Sequence, residues 1–255
     1  MPLTLRTIAC LNDNYAYLLH DEESGATACI DVPEIEPLER ALSDEGWSLT
    51  EIWVTHHHDD HIQGVDALRA STGAKVVGAK ADVRRLPKLD DAVSDGDVFN
   101  FAGHDVQVMD VSGHTIGHIA FYVPAANAAF TADSLMTMGC GRLFEGDART
   151  MWVSLQKLAS LPSETLICSG HEYTEANIRF AMSVDSDNPA LSKRAEHVAA
   201  LRTKGAFTVP SLLSEELETN PFLRATNANL AAKLGMAGAD PADVFAEIRG
   251  LKDRF

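Results

Sequence analysis

Thr55-His56-His57-His58-Asp59-Asp60-His61-Ile62-Gln63-Gly64 follows the apolar run Ile52-Trp53-Val54 and carries four imidazoles and two carboxylates in ten residues. Imidazole nitrogen and carboxylate oxygen are the donors a divalent transition metal prefers. Side chains alternate along extended backbone, so His56 and His58 point to one side and His57 to the other. The first pair suits one metal ion. Asp60 and His61, where the loop turns toward a helix expected to begin near Gln63, are aimed elsewhere and suit a second. A solvated polar loop or an affinity-tag remnant are the plainer readings. The run is internal, broken by carboxylates, and set between a strand signal and the helical pattern Val65, Leu68, Arg69, which favours metal binding.

The chain of 255 residues is long enough for one large domain with a smaller attachment, and its apolar content of 45% is that of a globular protein. A formal net charge of −16, without any basic run, argues against a nucleic-acid partner. Bound cations would neutralise part of it. The opening MPLTLRTIACLNDNYAYLL lacks a charged region followed by a long apolar one, and no stretch approaches the ~18 apolar residues a membrane span needs. A cytoplasmic protein is expected. Cys10, Cys29, Cys140 and Cys168 lie far apart with no CxxC pair, so reduced packing residues are expected rather than disulfides or thiolate ligands.

Leu3 to Leu11, Tyr15 to His20 and Ala26 to Val32 read as strands, and Leu38 and Leu42 mark a helix over Pro37 to Glu45 that Gly46 ends. Glu51 to Thr55 leads into the histidine loop, then Val65 to Ser71 reads helix and Ala74 to Gly78 strand, the alternation of a layered α/β domain. Further strands are expected at Val98 to Ala102, Asp105 to Val111, His118 to Val123, Ala128 to Thr131 and Thr165 to Cys168, with a helix over Ala148 to Ser160. Beyond residue 172 the strand signal nearly vanishes. Glu175 to Ser183, Pro189 to Lys204, Asn227 to Leu234 and Pro241 to Phe255 read as helices. The expected division is a metal-binding catalytic domain over 1–172 and a mostly helical substrate-binding domain over 173–255, with no internal repeat.

Three later sites repeat the grammar of the first, an apolar strand followed at once by a metal-competent side chain. Val108 to Val111 leads to Ser-Gly-His114-Thr-Ile-Gly-His118, Ala128 to Thr131 to Ala-Asp133, and Leu166 to Cys168 to Ser-Gly-His171-Glu-Tyr173. Each is weak alone, but loops at one edge of a layered sheet can converge. His56, His58 and His114 then suit one ion and Asp60, His61 and His171 another, with Asp133 bridging and a position on each ion open to water. His57 and Asp59 have the wrong alternation and are expected behind the ligands or at the surface. His118 is equally well a hydrogen-bonding neighbour of the site or a structural residue.

HxHxDH at His56 to His61, GHTxGH at Gly113 to His118, the strand-end Asp133 and Gly170-His171-Glu172-Tyr173 resemble the metallo-β-lactamase superfamily. Gly139-Cys140-Gly141-Arg142, Asn220-Pro221-Phe222 and the ending Arg249-Gly250-Leu251-Lys252-Asp253 narrow the resemblance to its glyoxalase II (hydroxyacylglutathione hydrolase) branch, over nearly the whole chain. The resemblance implies a four-layer αββα sandwich followed by a helical C-terminal domain. It also implies hydrolysis of S-(2-hydroxyacyl)glutathione, S-D-lactoylglutathione giving D-lactate and glutathione, the second step of methylglyoxal detoxification. Persulfide dioxygenases and lactonases share the histidine loop and are the alternatives. Single-iron persulfide dioxygenases use fewer ligands than are present here.

Two cations that share a water lower its pKa toward about 7, which makes hydroxide at neutral pH. A thiol leaves as thiolate without a general acid, so such a site suits a thioester. Asp60 and Asp133 are ligands first, and proton shuttling by Asp60 is a secondary possibility. Zinc, iron and manganese all accept these donors, zinc being the first expectation. Glutathione carries two carboxylates, and Arg142, Arg249 and Lys252 match the family's glutathione-contacting positions, as Tyr173 does for the peptide backbone. Plain helix chemistry is the other reading of Arg249 and Lys252, since cations near a helix C-terminus are favourable anyway. Phe144 stands where a tyrosine can occur. No nucleic-acid or membrane partner is expected, and the chain is expected to be a monomer or weak homo-oligomer.

Overall fold

The computed structural model describes residues 3–255, and contacts divide the chain into two compact units. The first unit runs to Asp110 and resumes over Ile116–Ala132; the second takes Val111–Thr115 and Asp133–Phe255.

The first unit begins with β1 (Leu3–Cys10), β2 (Asn14–Asp21) and β3 (Ala26–Ile30), antiparallel to one another, with β2 buried along its whole length. Helix α1 (Ile35–Glu45) then crosses to β4 (Ser48–Trp53), which lies parallel to β3. Leu38 and Leu42, one turn apart, give α1 its buried stripe, and Gly46 ends it at φ 70° in the left-handed region. One turn, α2 (Asp59–Ile62), precedes α3 (Val65–Thr72), which buries Val65 and Leu68 and leads to β5 (Lys75–Ala79) and β6 (Asp91–Val93), both parallel to β4. Helix α1 packs on β1 and α3 on β4.

A second, antiparallel sheet in the same unit is formed by β7 (Val98–Phe101), β8 (His104–Asp110), β9 (Ile119–Val123) and β10 (Ala128–Ala132). β9 and β10 are buried at every position, which their unbroken apolar runs require. Between the sheets Trp53 of β4 meets Phe99, Phe101, Phe121 and Phe130 at centroid separations of 5.3 to 6.3 Å. That aromatic centre lies two residues before the histidine loop and anchors its strand.

The second unit opens with the short hairpin β11 (Leu135–Met136) and β12 (Gly139–Cys140), followed by α4 (Ala148–Ala159), capped by Asp147, whose carboxylate accepts from Thr150 N. β13 (Leu166–Ser169) precedes α5 (Thr174–Val184) and α6 (Pro189–Thr203); β14 (Ser211–Leu212) pairs with β13 and runs into α7 (Leu213–Thr219). Helices α8 (Ala228–Lys233) and α9 (Pro241–Arg254) complete it, with α9 against α4. Asn188-Pro189 and Asp240-Pro241 start α6 and α9 as cap and first-turn proline.

The structure adds two elements to the sequence reading. The expected helix is present as α3 from Val65, but a separate turn, α2, precedes it: Asp59 and Asp60 fill a first helical turn, where carboxylates are favoured, and Gln63 N closes on Asp59 O at 2.8 Å. Asp60 and His61 are therefore held on a helical turn rather than in free loop. Helix α7 carries charge and little apolar periodicity, and it has no counterpart in the sequence reading. Among the described residues, no helix is long and apolar enough to cross a membrane.

Candidate metal centre

β3 and β4 run parallel and end side by side, and their carboxyl ends carry the first unit's metal-competent groups. Asp31, the residue after β3, has φ 58° and sends both carboxylate oxygens toward β4. Its Oδ1 accepts from Thr55 N at 2.9 Å, and its Oδ2 accepts from Thr55 Oγ1 and lies against His61 Nδ1, each at 2.8 Å. Thr55 Oγ1 is also 3.0 Å from His56 Nδ1. The hydroxyl has one proton and gives it to the carboxylate, so His56 Nδ1–H donates to Oγ1 while His61 Nδ1–H donates to Asp31. Both imidazoles are held in the tautomer that leaves Nε2 as a lone pair. All four residues are buried.

His56 Nε2 lies 3.2 Å from His58 Nδ1, and His61 Nε2 lies 3.8 Å from Asp60 Oδ2. Asn14 Nδ2 holds Asp60 through Oδ2 at 3.0 Å and its carbonyl at 3.1 Å. His118, fully buried, stacks on His56 at 4.5 Å and 9°, with Nδ1 on Ile119 O. His57 points away from these groups, with Nδ1 2.8 Å from Asp82 Oδ2.

In the second unit Asp133 Oδ2 is 3.4 Å from His114 Nε2 and 3.4 Å from His171 Nε2, one carboxylate oxygen reaching two imidazoles. His114 Nδ1 donates to Arg142 O at 2.8 Å, which again frees Nε2 for a metal. Gly141 is bare of necessity. A Cβ there would come within 2.0 Å of Asp133 O and 2.8 Å of His114 Nδ1. Phe144, 63% exposed, has its ring 5.3 Å from that of His114, and Tyr173 stacks on His171 at 4.7 Å.

These donors fit divalent ions. Each unit presents imidazole nitrogens beside a carboxylate, His61 with Asp60 in the first and His114 and His171 with Asp133 in the second, and among the described residues no cysteine sulfur is part of either set.

The cationic candidates are also in the second unit. Arg142 is exposed. Arg249 is 4% exposed, with Nη1 on Cys140 O at 2.9 Å, Nε and Nη2 on Asp253 Oδ1, and its guanidinium over the Phe222 ring. Lys252, half-buried, donates to Ala176 O at 3.1 Å beside Phe180 and Phe255. Its burial, then the positive charges of Arg249, Arg179 and Arg142, bring its ammonium down to about 8.

Asp31, Asn14 and Arg179 were not among the residues singled out from sequence. For Asp31 a signal exists: it follows an apolar strand just as His56, His114, Asp133 and His171 do, and was hidden by extending that strand to Val32. Asn14 and Arg179 carry no comparable pattern.

Residues 24–171 match the family model of the metallo-beta-lactamase superfamily, and residues 172–255 match that of the hydroxyacylglutathione hydrolase C-terminus. The chain is 58% identical to a hydroxyacylglutathione hydrolase of Ruegeria pomeroyi over 255 residues, the full length of both. It is 59% identical to one from a Jannaschia species, covering 98% of this chain and 97% of that one. Among solved structures it is similar to ETHE1 from Myxococcus xanthus, with a TM-score of 0.66 and 26% identity, covering 97% of this chain and 90% of that one. It also has the fold of TTHA1623 in a di-iron-bound form, at a TM-score of 0.63 and 24% identity, over 86% of this chain and all of that one. The fold is thus the mixed α/β metallo-β-lactamase fold with a helical C-terminal part, and the chain belongs to the hydroxyacylglutathione hydrolase (glyoxalase II) family of metal-dependent hydrolases.

Proposed function

We propose that this hydrolase cleaves S-(2-hydroxyacyl)glutathione thioesters, S-D-lactoylglutathione first among them, with two divalent ions, zinc by preference. His56, His58 and His114 are the ligands of one ion, Asp60, His61 and His171 those of the other, and Asp133 serves both. The observation that carries the reading is Asp133 Oδ2 at 3.4 Å from both His114 and His171, the placement expected of a shared ligand. When bound, the two ions supply an activated water as nucleophile and a Lewis acid for the thioester carbonyl.

The chain's own residues do the remaining work. Asp31 holds His61 directly and His56 through Thr55, Arg142 O holds His114, and Asn14 orients the Asp60 carboxylate. The leaving thiol of glutathione, with an ordinary pKa of about 8.5, departs as thiolate, so no side chain need protonate it. Arg142 and Lys252 receive the glutathione carboxylates, and Arg249 adds charge to the same group while its N–H groups hold Cys140 O and Asp253. Tyr173 and Phe144 flank the substrate, Phe144 without the hydroxyl that tyrosine would supply.

Residues 1–172 are assigned to metal binding and catalysis and 173–255 to substrate binding, in a chain acting as a monomer or weak homo-oligomer. Four free, buried cysteines favour a reducing, cytoplasmic setting.

The test is steady-state hydrolysis of S-D-lactoylglutathione by as-isolated, chelator-stripped and metal-restored protein. Activity that vanishes on stripping and returns at about two ions per chain supports the proposal. Fully loaded but inactive protein overturns the substrate assignment, and glutathione persulfide with oxygen, then lactones, become the substrates to try.

A further inference from the structure

Asn220-Pro221-Phe222 narrows the resemblance, yet nothing above gives Asn220 a role. It is fully buried, and its Nδ2 lies 3.2 Å from Met136 O, 3.0 Å from Gly139 O and 3.0 Å from Glu216 Oε2. Two amide protons thus serve three acceptors, two of them carbonyls on opposite sides of the β11–β12 turn. Its Oδ1 accepts from Phe222 N at 3.1 Å, which sets the ring over which Arg249 lies.

Glu216, also fully buried, closes the other side. Oε2 accepts from Met138 N at 2.8 Å, and Oε1 accepts from Ser211 Oγ at 2.7 Å and from Arg194. Thr137 and Met138 form the tip of this hairpin, and Met138 has φ 60°, a left-handed conformation that a non-glycine residue keeps only when its surroundings enforce it. Asn177 Nδ2 donates to Thr137 O at 3.1 Å and would collide with any Cβ on Gly139. Met136 O, Thr137 O, Met138 N and Gly139 O are thus each bonded by a side chain of α5 or of the segment from β14 to Asn220.

What the hairpin connects gives the clamp its purpose. Asp133 lies two residues before it. Its last residue, Cys140, carries the carbonyl that accepts from Arg249, and directly after it come Gly141, packed on Asp133 O and His114, and Arg142 O, which accepts from His114 Nδ1. Gly141 N returns to Ser134 O at 3.2 Å. Any shift of the turn moves the proposed shared carboxylate and the acceptor that sets the His114 tautomer together.

We infer that Asn220 and Glu216 are positioning residues for the thioester hydrolysis, acting through the Leu135–Cys140 hairpin on Asp133 and His114, with Asn220 also orienting Arg249 through Phe222. The inference rests on the ligand and substrate assignments proposed above. Neither residue touches substrate or metal. Groups that orient metal ligands typically change metal affinity 10–100-fold when removed, and these act one step further out, so a loss of about tenfold is expected.

The experiment compares Asn220→Ala, Glu216→Gln and Ser211→Ala with Asp185→Asn. Asp185 is a buried carboxylate paired with Arg224 at 3.1 Å elsewhere in the helical region and does not contact the hairpin. Zinc affinity is read by chelator competition without substrate, KM and kcat with S-D-lactoylglutathione, and folding by thermal melting. Asn220→Ala and Glu216→Gln are expected to hold zinc about tenfold more weakly, Asn220→Ala also to raise KM, and Ser211→Ala to give a smaller change of the same kind. Asp185→Asn lowers the melting temperature and leaves zinc affinity and KM alone.

If Asn220→Ala and Glu216→Gln are folded and hold zinc like the wild type, or if Asp185→Asn loses zinc to the same extent, the positioning role falls. Should both larger variants fail to fold, unchanged zinc affinity in Ser211→Ala overturns it, and a loss supports it. A wild-type protein that binds zinc but does not hydrolyse the thioester defeats the substrate reading separately, since the competition measurement contains no substrate.

Discussion

Asp31 Oδ2 lies 2.8 Å from His61 Nδ1 and 2.8 Å from Thr55 Oγ1, so one buried carboxylate sets the tautomer of His61 directly and that of His56 through a single hydroxyl. Asp31→Asn keeps the shape but must present an amide donor to part of this group. A donor facing His61 Nδ1 puts the imidazole proton on Nε2 and removes the lone pair a metal needs. The expected result is metal affinity lowered 10–100-fold, seen by chelator competition. Thr55→Val removes the only link from Asp31 to His56 but leaves Asp31 bonded to His61 and to Thr55 N, so it should weaken one of the two ions more than the other. Equal loss of both would mean that the hydroxyl does more than orient His56.

Gly141→Ala should fail for a local reason. Its Cβ would sit 2.0 Å from Asp133 O and 2.8 Å from His114 Nδ1, and those are backbone and an inflexible ring rather than the tip of a mobile side chain. The variant is expected to purify with substoichiometric metal and a melting temperature lowered by several degrees, as measured by elemental analysis and calorimetry. Gly235→Ala is the instructive contrast. Its Cβ meets nothing, and the cost there is only that of φ 73° for an L-residue, about 1 kcal/mol.

The lysine of the cationic group predicts a pH dependence. Lys252 is brought down to about 8 by burial first and by Arg249, Arg179 and Arg142 next, with Cys140 acting in the opposite direction. Only the protonated amine attracts a substrate carboxylate, so kcat/KM should fall as pH rises through about 8. Lys252→Arg keeps its charge and should remove that limb. Folding responds with the opposite sign. Between about 8 and the ordinary lysine value of about 10.4 the unfolded chain binds the extra proton, so this group's contribution to stability improves as pH rises across that window. A flat kcat/KM between pH 7 and 9 in the unmodified protein would remove Lys252 from substrate binding.

Arg249 and Lys252 should separate under mutation although they lie one helical turn apart. Removing Lys252 takes away a half-buried amine and one hydrogen bond to Ala176 O, so KM for glutathione thioesters should rise about tenfold with little loss of stability. Arg249→Ala also leaves the buried Cys140 O without its donor and strips the Phe222 face, which adds about 1–3 kcal/mol of destabilisation in urea unfolding. The double variant should raise KM more than it lowers kcat. An unchanged KM would exclude both from binding glutathione.

The aromatic centre explains why so much of the first unit was legible beforehand. Strand-length apolar runs and the Leu38/Leu42 stripe are short-range patterns, and β2, β4, β9 and β10 fall where those runs lie. Helix α7 and the two-residue strands β11, β12 and β14 were not legible, because elements this short or this polar exist only by contact with residues remote in sequence.

The sequence by itself determined which side chains are metal-competent, since ligand chemistry belongs to residue type and the HxHxDH spacing fixes which of them share a side. Tertiary structure decided everything that depends on a distant hydrogen-bond partner. Asp31 reaches His61 across thirty residues, Glu216 reaches Met138 across seventy-eight, and Arg249 is drawn inward by the Cys140 carbonyl one hundred and nine residues away. The reason is physical: a buried polar group must find a partner or lose about 1–3 kcal/mol, and which partner it finds is settled only when the strands and helices that carry both have packed.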